Sequence, residues 1–487
     1  MKDYSALRRW LSAVLTVVVF AAILGAVAWS RRASDQGHEA AEEGKSPEVA
    51  HAWPMFGGTI QRNMVNTRET GVPTDWSVEE GKEKNIKWSA VLGSKAYGGP
   101  VVADGKVFIG TNNGAPRDPK IKDDKGILLC FRQRDGKFLW QGVFDKLEAG
   151  RVNDWPEEGI CSTPFVEDKL LYFINNRCEV VCATTEGLHG DVNKGVKDEK
   201  YKGEGNADVV WHLDMMKKLN VFPHNLASSS PLVVGNRIFV VTSNGVDEGH
   251  INIPDPEAPS FIAVDKQNGD VIWKSNAPGK NIMHGQWSSP VYAEVEGKPE
   301  VIFPGGDGYL RAFTPDNGEL IWKFFCNPQK SVYKLGGQGT RSDFLAAPVV
   351  YDNKVYIGVG QDPEHEEGVG HFWCIDLVKA NKYGATNKDK DHDVSAVHDN
   401  FDPAAKDNKH SALAWHYGGP GDPQKLGRNY YFGRTMSTAA VHDGLVYIAE
   451  LAGYLHCLDA KTGKHYWQHE MNAACWSSPY WVDGKVY

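Results

Sequence analysis

Cys457-Leu458-Asp459-Ala460-Lys461-Thr462-Gly463-Lys464-His465-Tyr466-Trp467 is the stretch on which the fold turns. It carries a small residue, a glycine six positions later and a tryptophan four beyond that. The same spacing recurs at Cys130/Gly136/Trp140, Ala263/Gly269/Trp273 and Ala312/Gly318/Trp322. Cys182 and Cys374 keep the small residue but have insertions before Trp211 and Trp415. Self-similarity of this kind marks a repeat architecture.

A second pattern precedes each copy: small residues, Pro, three residues, a turn, then a β-branched and aromatic run. Pro100–Gly110 (PVVADGKVFIG), Pro231–Val241 and Pro348–Val359 are examples; Pro164, Pro290 and Pro479 start others, and Ala439 replaces Pro in one. Asp-Gly or Asp-Asn between two apolar runs signals a hairpin, because a tight I′ turn needs two residues that tolerate positive φ. Each unit therefore reads as strand, hairpin, strand, short turn, strand, second tight turn and Trp-bearing strand. That is an all-β chain of four-stranded antiparallel blades, a β-propeller. One Trp per blade is expected to pack between neighbouring sheets with its indole N–H on a turn carbonyl. Lys87-Trp88 reads as an orphan outer strand that completes the last blade. The seventh copy begins at Pro479 and stops at Tyr487, so the last blades are expected to be incomplete and the C-terminus truncated.

The 487 residues are 41% hydrophobic and 24% charged, which excludes a disordered or collagen-like chain. Fifty-three Lys and Arg against 62 Asp and Glu give a net charge of −9, which argues against nucleic-acid binding. Lys2, Arg8 and Arg9 precede a charge-free run from Trp10 to Trp29. At about 1.5 Å per residue this run makes roughly 30 Å of helix, enough to cross a bilayer core. A cleaved signal peptide is the alternative, with Ala26-Val27-Ala28 as its site, but the run is long for one and Arg31 and Arg32 follow it. Residues 1–32 are thus expected to be a signal anchor, 33–51 a flexible tether, and 52–487 a propeller on the extracytoplasmic (periplasmic) side.

The Ala-x-Asp-x-x-x-Gly-x-x-x-Trp phrase, as at Cys457 through Gly463 to Trp467, resembles the pyrroloquinoline quinone (PQQ) repeat. The opening Trp53-Pro54-Met55-Phe56-Gly57-Gly58-Thr59, followed by Arg62-Asn63, is similar to the lead-in of those proteins. The resemblance covers roughly residues 52–487 and implies eight blades, with seven the alternative. The family includes quinoprotein alcohol dehydrogenases and also outer-membrane assembly lipoproteins that bind no quinone. Those dehydrogenases typically carry two adjacent cysteines over the quinone, and many a C-x-x-C-H haem site. Here the cysteines stand at 130, 161, 178, 182, 326, 374, 457 and 475, none adjacent, and no C-x-x-C-H occurs. The leading expectation is a membrane-anchored binding or assembly module with a protein partner or a small-molecule ligand in the channel. The alternative is a PQQ-dependent dehydrogenase of alcohols or sugars, which would bring PQQ and calcium as cofactors.

Cys130, Cys182, Cys374 and Cys457 fill the slot that Ala263 and Ala312 occupy elsewhere, so they read as small buried residues; Cys161, Cys326 and Cys475 remain disulfide candidates. Asp389-Lys390-Asp391-His392-Asp393 starts like a calcium loop but has Val394 and Asn400 where Gly and Glu are needed, and reads as a solvated loop. His365 and His371, beside Glu364, Glu366 and Glu367, read as an exposed acidic loop rather than a metal site. No catalytic or metal-ligating set is assigned. The residues before each innermost strand converge on one mouth of the channel, where propellers bind ligands. They are Tyr97, Glu158, His224, Asn225, His284 and Gln286 in the first four copies, then Arg341, Asp343, Arg434 and Trp476.

Overall fold

The computed structural model describes residues 52–487, apart from 149, 190–194, 197, 198, 362–364 and 366. The run Trp10–Trp29 and the tether lie outside these residues. Among the described residues no helix is long and apolar enough to cross a membrane.

Seven sheets follow one another along the described chain. The first pairs Val101–Ala103, Lys106–Asn112, Lys125–Arg132 and Phe138–Asp145 in chain order, and the second does so with Phe165–Glu167, Leu170–Ile174, Glu179–Thr184 and Val209–Asp214. The third runs from Leu232–Val234 to Val271–Ser275, the fourth from Val291–Val295 to Leu320–Phe325, and the sixth from Ala440–His442 to His465–Glu470. The fifth departs from the expected four strands. The strand Leu413–Pro420 bends at Gly418 and Gly419, both at positive φ, and Tyr430–Phe432 then adds a fifth strand. The seventh contains Trp481–Val482 and Lys485–Val486, with Val65–Asn66 parallel to the former. Successive meanders around an axis make the chain a β-propeller.

The repeat has a cross-strand cause. In six sheets the small residue lies directly opposite the tryptophan: Cys130 faces Trp140, Cys182 faces Trp211, Ala263 faces Trp273, Ala312 faces Trp322, Cys374 faces Trp415 and Cys457 faces Trp467. A larger residue there would collide with the indole, and the register slips immediately after each small residue. All eight cysteines are free thiols, the three disulfide candidates included.

Each glycine of the pattern receives the indole of the preceding sheet. A Cβ on Gly136, Gly187, Gly269 or Gly318 would lie 2.6–2.7 Å from Trp88, Trp140, Trp211 or Trp273 respectively. These indoles donate to turn carbonyls of the next sheet: Trp88 to Gln133 (2.8 Å), Trp140 to Thr185 (3.0 Å), Trp211 to Lys266 (3.2 Å), Trp273 to Pro315 (2.9 Å) and Trp415 to Ala460 (3.0 Å). Lys87-Trp88 forms no strand, contrary to expectation, yet Trp88 docks on the first sheet as an outer-strand Trp does. Trp322 differs as well. The turn it would have met is replaced by a helix, α1 (Leu377–Thr386), and its indole donates instead to the Glu300 carboxylate at 3.1 Å.

The small-residue–Pro signature forms a belt. The residues before the inner strands are Gly99, Thr163, Ser230, Ser289, Ala347, Thr438 and Ser478. The Gly99 N–H donates to the Thr163 hydroxyl, the Thr163 N–H to Ser230 and the Ser230 N–H to Ser289, at 2.8–3.0 Å. The Ala347 N–H donates to Thr438 and the Thr438 N–H to Ser478, at 3.1 and 2.9 Å. A hydroxyl is the smallest group that can accept its neighbour's N–H where the inner strands crowd together.

The lead-in segment touches every sheet. Trp53 pairs with Val102, and the Pro54 carbonyl accepts from Val166. Arg62 donates to the carbonyls of Ser230, Pro231 and Pro290. Ile60, Gln61 and Met64 accept from Tyr292, Val350 and Trp481, and Asn63 exchanges two bonds with Val441.

Candidate functional site

The loops that enter the inner strands surround a cavity of about 450 Å³. Its walls are aromatic. Tyr97 and Trp476, both half exposed, stack with centroids 6.5 Å apart, and Trp155, Trp287 and Phe56 add three more rings. Phe56 comes from the lead-in segment, with the Arg62 guanidinium 5.5 Å from its ring. The Arg151 guanidinium lies 4.0 Å from the Trp155 ring and stiffens it by a cation–π contact. The belt residues Thr163, Ser230, Ser289 and Thr438 supply hydroxyls.

Glu158 is the one carboxylate among the described residues that lines the cavity, and it pairs with Lys95 at 2.6 Å. That hydrogen bond raises the Lys95 amine above its usual range. Burial raises the Tyr97 phenol and pushes the Cys161 thiol up to about 12, which keeps both neutral at pH 7.

Of the residues expected at the mouth, the structure brings Tyr97, Glu158, Asn225 and Trp476 to this cavity. Gln286 is buried and ties two sheets together, donating to Asn244 O and Ser260 Oγ at 2.8 and 2.9 Å. His284, Arg341 and Asp343 line a narrow crevice with Trp287, Gly337, Gln361 and His365. Arg434 donates to the His365 carbonyl at 2.6 Å. His224 joins His284 in a cluster with His250, all three ligand atoms lying within 4.8 Å of one another. Trp287 bridges cavity and cluster: it lines the cavity, and its Nε1 donates to His224 O at 2.9 Å. His365 and His371 part company. His365 packs 5.5 Å from His284, whereas His371 is buried in a strand with its Nδ1 2.9 Å from His416 Nε2. Burial lowers the His371 imidazole to about 4 and His416 well below its usual value, so this pair is neutral core.

Sequence reasoning missed Trp155, Trp287, Phe56 and His250. Trp287 follows Gln286 in the same entry loop and is outside the Trp–Gly spacing, which marks it as free for a wall.

The family model described as outer membrane protein assembly factor BamB matches residues 208–401 and 404–487, more than half of the sequence. The chain belongs to this family. Solved structures similar to this BamB-family chain include BamB from Moraxella catarrhalis, 10% identical at a TM-score of 0.43, covering 79% of this chain and 76% of that one. A europium-containing methanol dehydrogenase is 11% identical at 0.43, covering 90% and 89%. The quinohemoprotein alcohol dehydrogenase from Comamonas testosteroni is 10% identical at 0.44, covering 91% and 77%. No curated protein matches the sequence.

The cavity can be tested for a quinone and calcium. Calcium takes six to eight oxygens, several of them carboxylate, and an anionic quinone needs cationic or N–H donors around its rim. Among the described residues a single carboxylate lines the wall, already paired with Lys95, and no Arg or Lys lines it. This donor set does not fit PQQ with calcium.

Proposed function

We propose that this BamB-family chain is a membrane-anchored, extracytoplasmic binding module that holds a protein partner at the mouth of its propeller. The aromatic-walled cavity carries the reading. Five rings around about 450 Å³, with belt hydroxyls below and one paired carboxylate, suit an apolar or aromatic side chain of a partner segment. The family description supports an assembly role. The Trp10–Trp29 run, with three basic residues before it, supplies the anchor and sends the propeller across the membrane. We take the ring as seven-bladed. The lead-in bonds to each of the seven sheets or to the residues that enter it, and contacts of Trp53 with Tyr480 and Tyr97 with Trp476 bring the start of the first sheet beside the last.

A photo-crosslinking side chain placed at Trp476 in the membrane-bound full chain should trap one discrete protein, and one at Lys461, on the outer turn of the sixth sheet, should not. Tyr97→Ala combined with Trp155→Ala should abolish the Trp476 adduct. Equal capture at both positions sinks the reading. So does saturable one-to-one PQQ binding with Ca²⁺, which at 100 times Kd would stabilise the chain by about 2.7 kcal/mol.

A further inference from the structure

We infer that His224, His250 and His284 form a zinc-binding site with three imidazole ligands and a fourth position open to solvent. Three segments bring them together. His224 and His284 sit in the entry loops of the third and fourth sheets, and His250 in the loop between the second and third strands of the third sheet. Backbone bonds tie these segments to one another: His224 N to Ser243 O at 3.2 Å, Gly245 N to Phe222 O at 2.9 Å and Val246 N to His284 O at 3.0 Å.

The nitrogen geometry points to a metal. His250 Nε2 lies 3.3 Å from His224 Nε2 and 3.1 Å from His284 Nε2. Nitrogens bound to tetrahedral zinc at about 2.05 Å are separated by about 3.3 Å. His224 Nδ1 is 2.7 Å from the Val246 carbonyl, which holds the proton on Nδ1 and turns the Nε2 lone pair toward the cluster. That outer hydrogen bond is the arrangement that orients a metal-bound imidazole.

The surroundings are shaped to this cluster. The His250 loop is held by Asp247, whose carboxylate accepts from Ile251 N at 2.9 Å and from the Asn252 side chain at 3.1 Å. His250 itself takes a left-handed φ of 56°, a conformation a non-glycine residue adopts at a cost. Gly336 and Gly337, both at positive φ, close the opposite side; a Cβ on Gly336 would lie 2.8 Å from His250 and one on Gly337 3.3 Å from His365. His224 and His284 are buried and His250 is partly exposed, so an ion enters from the His250 side. Three histidines with one open position is the ligand count of a zinc that keeps a water. This site stands beside the aromatic cavity and does not depend on what that cavity holds.

The test uses the full chain stripped with a chelator, then dialysed against Zn²⁺ and titrated with Co²⁺ as a coloured substitute. One Zn²⁺ per chain and a visible Co²⁺ ligand-field band are expected, with quenching of Trp287, whose ring is 5.3 Å from His284. His250→Ala should weaken binding at least about 100-fold, and His398→Ala, far along the polar insertion, should leave it unchanged. His250→Cys should bind again and add a near-ultraviolet thiolate-to-cobalt band absent from the parent. A parent chain that takes up no stoichiometric metal overturns the site. Equal binding by His250→Ala and His398→Ala, or a His250→Cys chain without the thiolate band, does the same.

Discussion

Glu300 shows how one buried side chain sets a pH dependence. It is 1% exposed, and its Oε2 accepts from Trp322 Nε1 and from Asn381 Nδ2 at 2.9 Å. Burial pushes its carboxyl from 4.5 up to about 7. Between those values the folded chain holds a proton that the unfolded chain has released, so this group makes stability fall as pH rises through the window and level off above it. Glu300→Gln keeps an oxygen for the indole and cannot ionise. Relative to the parent, the variant should gain on the order of 3 kcal/mol between pH 4 and pH 8. Any fixed cost of the amide cancels in that difference, which urea midpoints at the two pH values measure; an unchanged difference would show that Glu300 does not titrate there. Residue chemistry was unevenly legible. The cysteines opposite tryptophan were readable as small core residues because the alanines at Ala263 and Ala312 gave the slot away. Burial of Glu300 was not, because it follows from α1, a helix in the insertion before Trp415 whose contact with Glu300 through Asn381 no local spacing announces.

At the scale of the element, the Trp–Gly joint is what the repeat encodes. The glycine takes a positive φ that an L side chain adopts poorly, and the previous sheet's indole lies against its Cα. At Gly318 φ is 70°, and a Cβ would stand 2.7 Å from Trp273 Cδ2, whose indole N–H bonds Pro315 O at 2.9 Å. Gly318→Ala therefore strains the turn and lifts the indole from its seat, and should cost about 1–3 kcal/mol. Gly235→Ala is the control: it too has positive φ, 59°, but a Cβ there meets nothing within 4 Å. The two losses, compared by chemical denaturation, separate strain from collision; equal losses would mean that the indole contact contributes nothing. The four-strand grammar and the tight turns were legible because both are local, as at Asp104-Gly105 and Asp443-Gly444, where all four residues have positive φ. The fifth strand at Tyr430–Phe432 was hidden, since its pairing depends on two glycines that bend a strand rather than end it.

At the scale of the molecule, the lead-in segment bonds to all seven sheets at once, from Val102 in the first to Trp481 in the seventh. Its motif was legible only as a resemblance, because its partners lie as far along the chain as Val441 and Trp481 and no local spacing announces them. Arg62 is its anchor. It is wholly buried and has no carboxylate partner among the described residues; its charge is met by the carbonyls of Ser230, Pro231 and Pro290 at 2.9–3.1 Å. Desolvation pulls its guanidinium down to about 9, so it stays charged at neutral pH. Carbonyls from two sheets converging on one fork need a planar donor with several N–H groups, which lysine does not provide. Hydrogen bonds to a charged group contribute about 1.5–3 kcal/mol each. Arg62→Lys, which keeps the charge and loses the fork, should cost several kcal/mol, and Arg62→Met, which removes the charge with its bonds, should cost less than Lys because no buried cation is left short of acceptors. The order Met milder than Lys distinguishes a desolvated charge from a simple packing role. Limited proteolysis adds a local readout: both variants should expose residues 52–66 to cleavage before the sheets unfold. If Lys proves the milder replacement, the carbonyl cradle tolerates a point charge and the fork geometry is not what fixes the segment.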